Sequence, residues 1–174
     1  MPPASPSTLT TARLRLRALG EGDADFLVAL LNDPEFLRFI GDRRVRDRAQ
    51  AIRWLHAGPL ASYAVNGFGL CLVQCLQDDE RIGICGLLRR DGLADVDLGF
   101  AFLPEYRGHG YALEAADAML QCGLHQLRLP RVVAIVDPAN ERSIALLAKL
   151  GMRFESEVRL APEEKLLHLY AIAL

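Results

Sequence analysis

The chain has 174 residues, a length that suits one compact domain, since domains usually contain about 100–200 residues. Hydrophobic residues make up 51% of the chain and charged residues 24%, so an ordinary core can form. The formal net charge of -2 is too small to indicate a nucleic acid or an anionic membrane surface as partner. No stretch reaches the roughly 18 apolar residues that a membrane helix needs, so we expect no membrane partner.

The N-terminal segment differs in composition from the rest of the chain. Its first ten residues contain three prolines and no apolar run, which is unlike a signal peptide. The sequence therefore predicts a flexible arm over residues 1–10, a single domain over residues 11–174 and a cytoplasmic location.

The cysteines form no CxxC pair and lie near no histidine at a zinc-like spacing. Most of them lie in apolar, strand-like stretches, where a thiol acts as a small hydrophobic group. We expect reduced thiols and no metal site from this set: Cys71, Cys75, Cys85 and Cys122.

The first half of the domain is predicted to contain a strand, two helices and a hairpin. Alternating charged and apolar residues predict a strand over Arg13 to Ala18. A leucine-rich helix follows, and a second helix is expected over Arg48 to His56, ended by Gly58-Pro59. Two strands, Gly69 to Leu76 and Arg81 to Leu88, flank a polar turn of hairpin length.

The second half alternates strands and helices and ends in another hairpin. This order predicts an α+β fold of three layers, with a mixed, mostly antiparallel central sheet and helices on both faces. The expected elements are a strand over Asp95 to Leu103, a helix over Gly110 to Gln126, a strand over Arg131 to Val136, a helix over Asn140 to Leu150, and strands over Arg153 to Leu160 and Leu166 to Leu174.

A loop with two glycines, Arg107 to Ala112, joins the strand Asp95 to Leu103 to the long helix. The first turn of a helix leaves backbone N–H groups without partners, and their partial positive charge attracts anions. Gly108 and Gly110 allow a tight turn and a close approach of a phosphate to the backbone. Arg107 adds a positive charge at the rim, so the segment predicts a pyrophosphate site.

Two other nucleotide-binding motifs do not fit this loop. A Walker loop needs Gly-x-x-x-x-Gly-Lys-Ser/Thr, which is absent from the sequence. The dinucleotide fingerprint needs a third glycine or alanine at the position of Leu113. A nucleotide-dependent oxidoreductase is therefore not favoured.

The loop resembles the cofactor loop of the GNAT superfamily of acyl-CoA N-acetyltransferases, Gln/Arg-x-x-Gly-x-Gly/Ala. Leu98 to Tyr106 resembles the central strand of that family, and Asn140 to Phe154 resembles its next block. Leu14 to Ala18 and Asn32 to Glu35 resemble the opening of the ribosomal-protein N-terminal acetyltransferase branch. The resemblance covers about residues 11 to 174 and implies the acyl-CoA N-acyltransferase fold.

The resemblance implies acetyl-CoA as co-substrate and no metal. The loop backbone would hold the pyrophosphate, and the pantetheine arm would lie along the end of the central strand. Two of the implied residues also have ordinary structural explanations, a helix N-cap for Asn140 and a solvated helix end for Lys149. The implied cofactor-binding set is Phe100, Ala101, Phe102, Leu103, Arg107, Gly108, His109, Gly110, Tyr111, Ala112, Asn140, Ser143 and Lys149.

Acetyl transfer to an amine needs a proton acceptor for the amine and a proton donor for the leaving thiolate. The resemblance implies that the strand Arg131 to Val136 splays away from the central strand and opens a cleft for the thioester. The family often supplies the donor from a tyrosine on the helix after that strand, but no tyrosine lies between Asp137 and Leu169. Ser143 is the predicted substitute. Asp97 is the predicted base, with Glu35 or ordered water as alternatives.

The expected acceptor is a primary amine, and the branch resemblance points to a protein N-terminal α-amino group. A small-molecule amine, such as an antibiotic or metabolite, and a non-catalytic CoA-binding or regulatory domain remain alternatives, and a homodimer remains open. The acceptor groove is expected to form from residues 33–60. The arginines of this segment would favour a substrate with a carboxylate and disfavour a polyamine. The alternative is that these arginines form only a solvated basic face. The expected lining of the groove is Phe36, Arg38, Phe39, Arg43, Arg44 and Trp54.

Overall fold

A computed structural model describes residues 5–174, and its framework is one eight-stranded sheet. The strands are β1 (Leu9–Thr10), β2 (Leu14–Ala18), β3 (Leu70–Cys75), β4 (Arg81–Leu88), β5 (Asp97–Phe102), β6 (Arg131–Val136), β7 (Arg153–Val158) and β8 (Leu167–Ala173). Their order is β1-β2-β3-β4-β5-β6-β8-β7. Among the strands of residues 5–174, only β5 and β6 pair in parallel, which confirms the predicted mixed, mostly antiparallel sheet.

The helices lie between the strands along the chain. They are α1 (Ala24–Leu31), α2 (Pro34–Phe39), α3 (Arg48–Leu55), α4 (Ala61–Asn66), α5 (Tyr111–Gln121) and α6 (Glu141–Lys149). Within residues 5–174, no helix has both the length and the apolar character needed to span a membrane.

The helices cover both faces of the sheet, because successive residues of a strand point to opposite sides. On one face, Val73 and Cys85 pack in a core with residues of α5 and α6. On the other face, Leu72 and Ile84 pack with residues of α1 and α3. This arrangement gives the three layers that the order of elements predicts.

The cysteine side chains behave as small hydrophobic groups, as predicted. Cys71, Cys75 and Cys85 are buried and free, and Cys122 is partly buried and free. Burial raises the pKa of Cys71 to about 12, so this thiol stays protonated and unreactive near neutral pH.

The sheet opens between β5 and β6. The two strands pair at a single register position, Asp97 with Val133, and the N–H of Val133 donates to the carbonyl of Val96 over 3.0 Å. On its other edge β5 stays paired with β4 from Asp97 to Phe102. Hydrogen-bonding direction alternates along a strand, so the backbone groups of Phe100 and Phe102 point into the opening.

Two boundary predictions are wrong. The helix that begins at Arg48 does not end at Gly58-Pro59, because a wide π-helical turn over His56–Leu60 carries the chain into α4. The wide turn accommodates Pro59, which has no N–H for a regular helical bond. Pro59 and Tyr63 are buried, and the Tyr63 hydroxyl donates to the carbonyl of Leu70 on β3, which holds this segment against the sheet.

The predicted arm also extends too far. Residues 1–4 lie outside the described part of the chain, but Leu9 and Thr10 pair with Leu16 and Arg15 of β2. Leu9 packs against the core, and this burial favours an ordered strand over a loose arm.

Candidate active site

The loop with two glycines connects β5 to α5 through a short turn over Pro104–Tyr106. Gly108 and Gly110 have φ angles of 79° and 81°, a left-handed conformation that other residues rarely adopt. The carbonyl of Gly110 accepts the first helical bond, from the N–H of Glu114 over 3.1 Å. The N–H groups from residue 111 to 113 therefore have no helical acceptor, and this donor set fits a pyrophosphate.

Arg13 supports the loop from outside and is a residue that sequence reasoning missed. Its Nη1 donates to the carbonyl of His109 over 3.0 Å, and its Nε donates to Glu114 Oε1 over 2.8 Å. The guanidinium carbon lies 4.4 Å from the ring centre of Tyr111. A Cβ on Gly110 would come within 3.3 Å of Arg13 Nη2, so the glycine leaves room for this support.

Arg107 lies beside the loop as expected, but its charge is not free. Its Nη2 donates to Asp33 Oδ2 over 2.5 Å, and its Nη1 lies 3.2 Å from Glu35 Oε2. Asp33 is also the N-cap of α2, where its side chain accepts from the N–H of Phe36. Arg107 does bring a positive charge to the rim, but Asp33 and Glu35 pair with it, and the guanidinium ties α2 to the loop. Its contact with a pyrophosphate stays a prediction.

Three cavities meet on β5, and Phe100 lines all of them. The loop cavity, about 90 Å³, lies between the end of β5, Arg107 and Asn140. The cleft cavity, about 350 Å³, lies in the opening between β5 and β6. The groove, about 470 Å³, lies on the other side of β5, between β4, α2 and the segment from Trp54 to Asn66. An extended molecule in the opening can thus meet a second molecule in the groove.

Asn140 and Ser143 lie together at the start of α6. The Asn140 side chain is the N-cap and accepts from the N–H of Ser143 over 3.2 Å, so the capping role is confirmed. Both residues line the loop cavity and the cleft cavity. Among residues 5–174 the Ser143 hydroxyl finds no protein hydrogen-bond partner, which leaves it available to a molecule in the cleft.

Asp97 is a buried acid on the wall of the cleft cavity, with 0% of its surface exposed. Arg90 Nε donates to both carboxylate oxygens, over 3.1 and 3.0 Å. Burial raises the pKa of Asp97, although the Arg90 cation opposes the increase. Glu35, the alternative base, lines the loop cavity and forms ion pairs with Arg107 and Arg142.

The segment between β7 and β8 crosses the mouth of the cleft. Lys165 Nζ lies 2.7 Å from Asp137 Oδ2 and donates to the carbonyls of Arg38 and Phe39 over 3.4 and 3.2 Å. Because Arg38 and Phe39 belong to α2, these bonds join the two sides of the opening. The cleft is therefore bounded on its outer side.

The expected groove residues divide into three groups. Phe36, Arg43 and Trp54 line the groove, and Phe36 also lines the loop cavity and Arg43 the cleft cavity. Phe39 lines the loop and cleft cavities but not the groove. Arg38 and Arg44 line none of the three cavities. Sequence reasoning missed Arg89 and Arg90, which line the groove from the end of β4; an Arg-Arg pair at a strand end was the available signal.

The predicted cofactor-binding residues also divide. Phe100, Ala101, Phe102, Arg107, Ala112, Asn140 and Ser143 line the loop cavity. Outside it are Leu103, Gly108, His109, Gly110, Tyr111 and Lys149. Four of these form the loop itself, where His109 is exposed, while Lys149 is exposed in the last turn of α6. Contacts of these outer residues with acetyl-CoA stay predictions.

Comparison with known proteins agrees with this geometry. The model of the acetyltransferase (GNAT) domain matches residues 13–153. An N-acetyltransferase of Bacillus licheniformis, p20, is 32% identical over 158 residues, which is 87% of this chain and 85% of that protein.

Solved structures share the fold. An acetyltransferase from Agrobacterium tumefaciens superposes with a TM-score of 0.79 at 26% identity, over 98% of this chain and 96% of that one. A ribosomal-protein-S5-alanine acetyltransferase from Vibrio fischeri gives 0.72 at 16% identity, over 96% of each chain, which is a likeness of fold. Together with the glycine loop and the opened sheet, these matches place the chain among the GNAT acetyltransferases, as an acetyl-CoA-dependent N-acetyltransferase.

Proposed function

We propose that this enzyme transfers the acetyl group of acetyl-CoA directly to a protein N-terminal α-amino group. The observation that supports direct transfer is the meeting of the three cavities at Phe100, since a donor in the opening and an acceptor in the groove share this residue. The volume of the groove, about 470 Å³, suits the first residues of a peptide as acceptor. The structural neighbour from Vibrio fischeri, which carries the name of a ribosomal-protein acetyltransferase, has the same fold.

On the donor side, each part of acetyl-CoA has a set of candidate partners. The N–H groups at the start of α5 would hold the pyrophosphate, and the free backbone edge of Phe100 and Phe102 would pair with the pantetheine arm. The side-chain amide of Asn140 faces the same space. Acetyl-CoA supplies the activated acetyl group, and the N–H of Phe100 is the donor for negative charge that develops on the carbonyl oxygen.

The reaction requires two proton transfers, one from the acceptor amine and one to the leaving thiolate. The amine must lose a proton before it attacks, and the thiolate, whose thiol has an ordinary pKa of about 8.5, has to gain one as it leaves. We assign protonation of the thiolate to the hydroxyl of Ser143, which lines the cleft. We assign deprotonation of the amine to Asp97, because burial raises its pKa and makes its carboxylate a stronger base.

Cofactor binding at the loop is tested with two variants and a control. Ala112→Glu places a carboxylate in an ordinary helical position on the loop cavity, and Gly110→Trp fills the backbone approach. Gly22→Trp, at an open and exposed site, is the matched control. Isothermal titration with acetyl-CoA should show binding by wild type and Gly22→Trp, and at least tenfold weaker binding by the two loop variants. Absence of binding to folded wild type would overturn the proposal.

The acceptor is tested by mass spectrometry of peptides incubated with acetyl-CoA. Peptides with a free α-amino group should gain one acetyl group, whereas peptides with a blocked α-amino group and a free lysine should not. Acetylation of small-molecule amines alone would assign the enzyme to metabolites or antibiotics. Acetyl-CoA binding without turnover of any amine would indicate a regulatory CoA-binding domain.

A further inference from the structure

We infer that the groove selects an acceptor that carries a carboxylate close to its reacting amine. This inference rests on the proposed acetyl transfer and names the chemical class of its acceptor. The carboxylate is either an acidic side chain at the start of a peptide or the acid group of a small amino acid. These two sources share one recognition chemistry.

The groove is cationic although it is otherwise mostly apolar. Arg43, Arg89 and Arg90 line it, and no aspartate or glutamate does. Within residues 5–174, neither Arg43 nor Arg89 makes a salt bridge, and the guanidinium of Arg89 lies 5.9 Å from the ring centre of Phe68. Two carboxylates lie near this cluster: Asp97, paired with Arg90, and Glu164, which lines the cleft cavity together with Arg43. One positive charge remains in excess, and this excess favours an anionic ligand.

Arg90 brings this charge next to the reaction point. Its Nε is used by Asp97, but its Nη2 lies 3.7 Å from the position that a Cβ on Gly99 would occupy. Gly99 precedes Phe100 on β5, where the cavities meet. Burial and the neighbouring Arg90 cation lower the pKa of Arg43, so the cluster is electrostatically unsatisfied until a carboxylate enters.

The same charges act on the amine. A positive field disfavours the ammonium form, so a bound amine loses its proton more readily and becomes the nucleophile. The carboxylate of the acceptor compensates the guanidinium groups through charge-assisted hydrogen bonds. A polyamine lacks this compensation and brings further positive charge, so the groove should reject it.

The test measures kcat/KM with saturating acetyl-CoA for C-terminally amidated peptides of sequence Ser-Glu-Ala-Ala, Ser-Gln-Ala-Ala and Ser-Lys-Ala-Ala. Free glutamate, free glutamine and spermidine form the small-molecule arm. Wild type should prefer the Glu peptide to the Gln peptide by about ten- to hundredfold, the range of one charged hydrogen bond. Arg89→Gln and Arg43→Gln should reduce this ratio several-fold, whereas the ratio stays at the wild-type value in Arg153→Gln, an exposed arginine on β7 outside the cavities.

A calorimetric titration of the same peptides into the enzyme–CoA complex measures binding without turnover. Together with the kinetics, it distinguishes failure of the acidic-acceptor inference from failure of the proposed acetyl transfer. Equal kcat/KM values for the Glu and Gln peptides, or faster turnover of spermidine, would overturn the acidic-acceptor inference and leave acetyl transfer standing. Preferential binding of the Glu peptide without any acetylation would overturn the proposed function and keep the specificity of the groove. Turnover of glutamate but not of the peptides would assign the carboxylate to a small molecule.

Discussion

At the scale of single residues, Ser143 is the proposed proton donor, because no tyrosine lies between Asp137 and Leu169. Its backbone N–H serves the Asn140 cap, while its side chain lines the cleft. Ser143→Ala should lower kcat by about tenfold or more, because the leaving thiolate then takes its proton from water. The Kd for acetyl-CoA, measured by calorimetry, should change by less than about threefold, since the N-cap does not depend on this hydroxyl.

Ser156→Ala, on β7 away from the cavities, is the control for that variant. An unchanged kcat in Ser143→Ala would remove the proton-donor role and leave water as the donor. A large loss of acetyl-CoA affinity would instead make Ser143 a binding residue.

The two candidate bases differ in environment, and this difference allows a direct comparison. Asp97 is buried and has a raised pKa, whereas Glu35 is partly exposed and held by two arginines. Asp97→Asn should lower kcat by about a hundredfold, the usual contribution of a general base. Glu35→Gln should lower it by less than about threefold, measured by CoA release. The reverse order would transfer the role to Glu35.

Some residues of the candidate site can be predicted from the sequence and others cannot. Gly108, Gly110 and Asn140 carry local backbone requirements, a left-handed turn or a cap, which depend on neighbouring residues only. Arg13 and Arg90 act through partners that folding brings close; Arg13 bonds to Glu114, 101 residues away. Spacing along the chain carries no signal for such pairs.

At the scale of elements, a buried carboxylate joins the helical layer to the sheet. Asp23, 2% exposed, precedes α1 and accepts from Arg17 of β2 over 2.9 and 3.0 Å and from Arg81 of β4 over 2.8 Å. The N–H of Gly20 donates to it as well, over 2.9 Å. Burial alone would raise the pKa of Asp23, but these hydrogen bonds outweigh burial and lower it.

Asp23→Asn should therefore reduce the free energy of unfolding by about 1–3 kcal/mol at pH 7, measured by urea denaturation. The lowered pKa in the folded state means that ionised Asp23 stabilises the fold above its ordinary pKa of 3.8. This contribution is lost as the pH falls through the lowered value, so wild type and variant should converge in acid.

Asp79→Asn is the matched control, because Asp79 also pairs with an arginine but is exposed. It should change stability by less than about 0.5 kcal/mol at either pH. A gap between wild type and Asp23→Asn that stays constant from pH 7 to pH 3 would contradict the ionic explanation.

The positions of most elements follow from periodicity, and the exceptions have identifiable causes. The strands β4 and β6 begin and end where alternation and apolar runs predict. The dipeptide Gly58-Pro59 predicts a helix end, because glycine and proline both disfavour a continuing helix. Burial of Leu55, Pro59 and Tyr63 against the sheet overrides it, and that burial exists only after folding.

At the scale of the whole molecule, the order of strands and helices along the chain predicts the architecture better than any single segment does. Strands before the long helix predicted an antiparallel meander, and the strand–helix–strand unit predicted the parallel step between β5 and β6. The opening at that step came from family resemblance and not from the residues of β6, which read as an ordinary buried strand. The opening exists because β5 and β6 diverge after Asp97 and Val133, and this divergence depends on the assembled sheet.

The opened sheet has a consequence for solubility. Unpaired strand edges template edge-to-edge aggregation, and most proteins protect the outermost strands of their sheets against it. Here an unpaired edge lies in the interior of the sheet, at Phe100 and Phe102, behind α2 and the segment of Lys165 that spans the mouth. Because α2 and this segment are bonded to each other across the mouth, the unpaired edge is covered on that side by the chain itself. The fold thus holds an unpaired strand edge inside the sheet, where it is shielded from pairing with other chains.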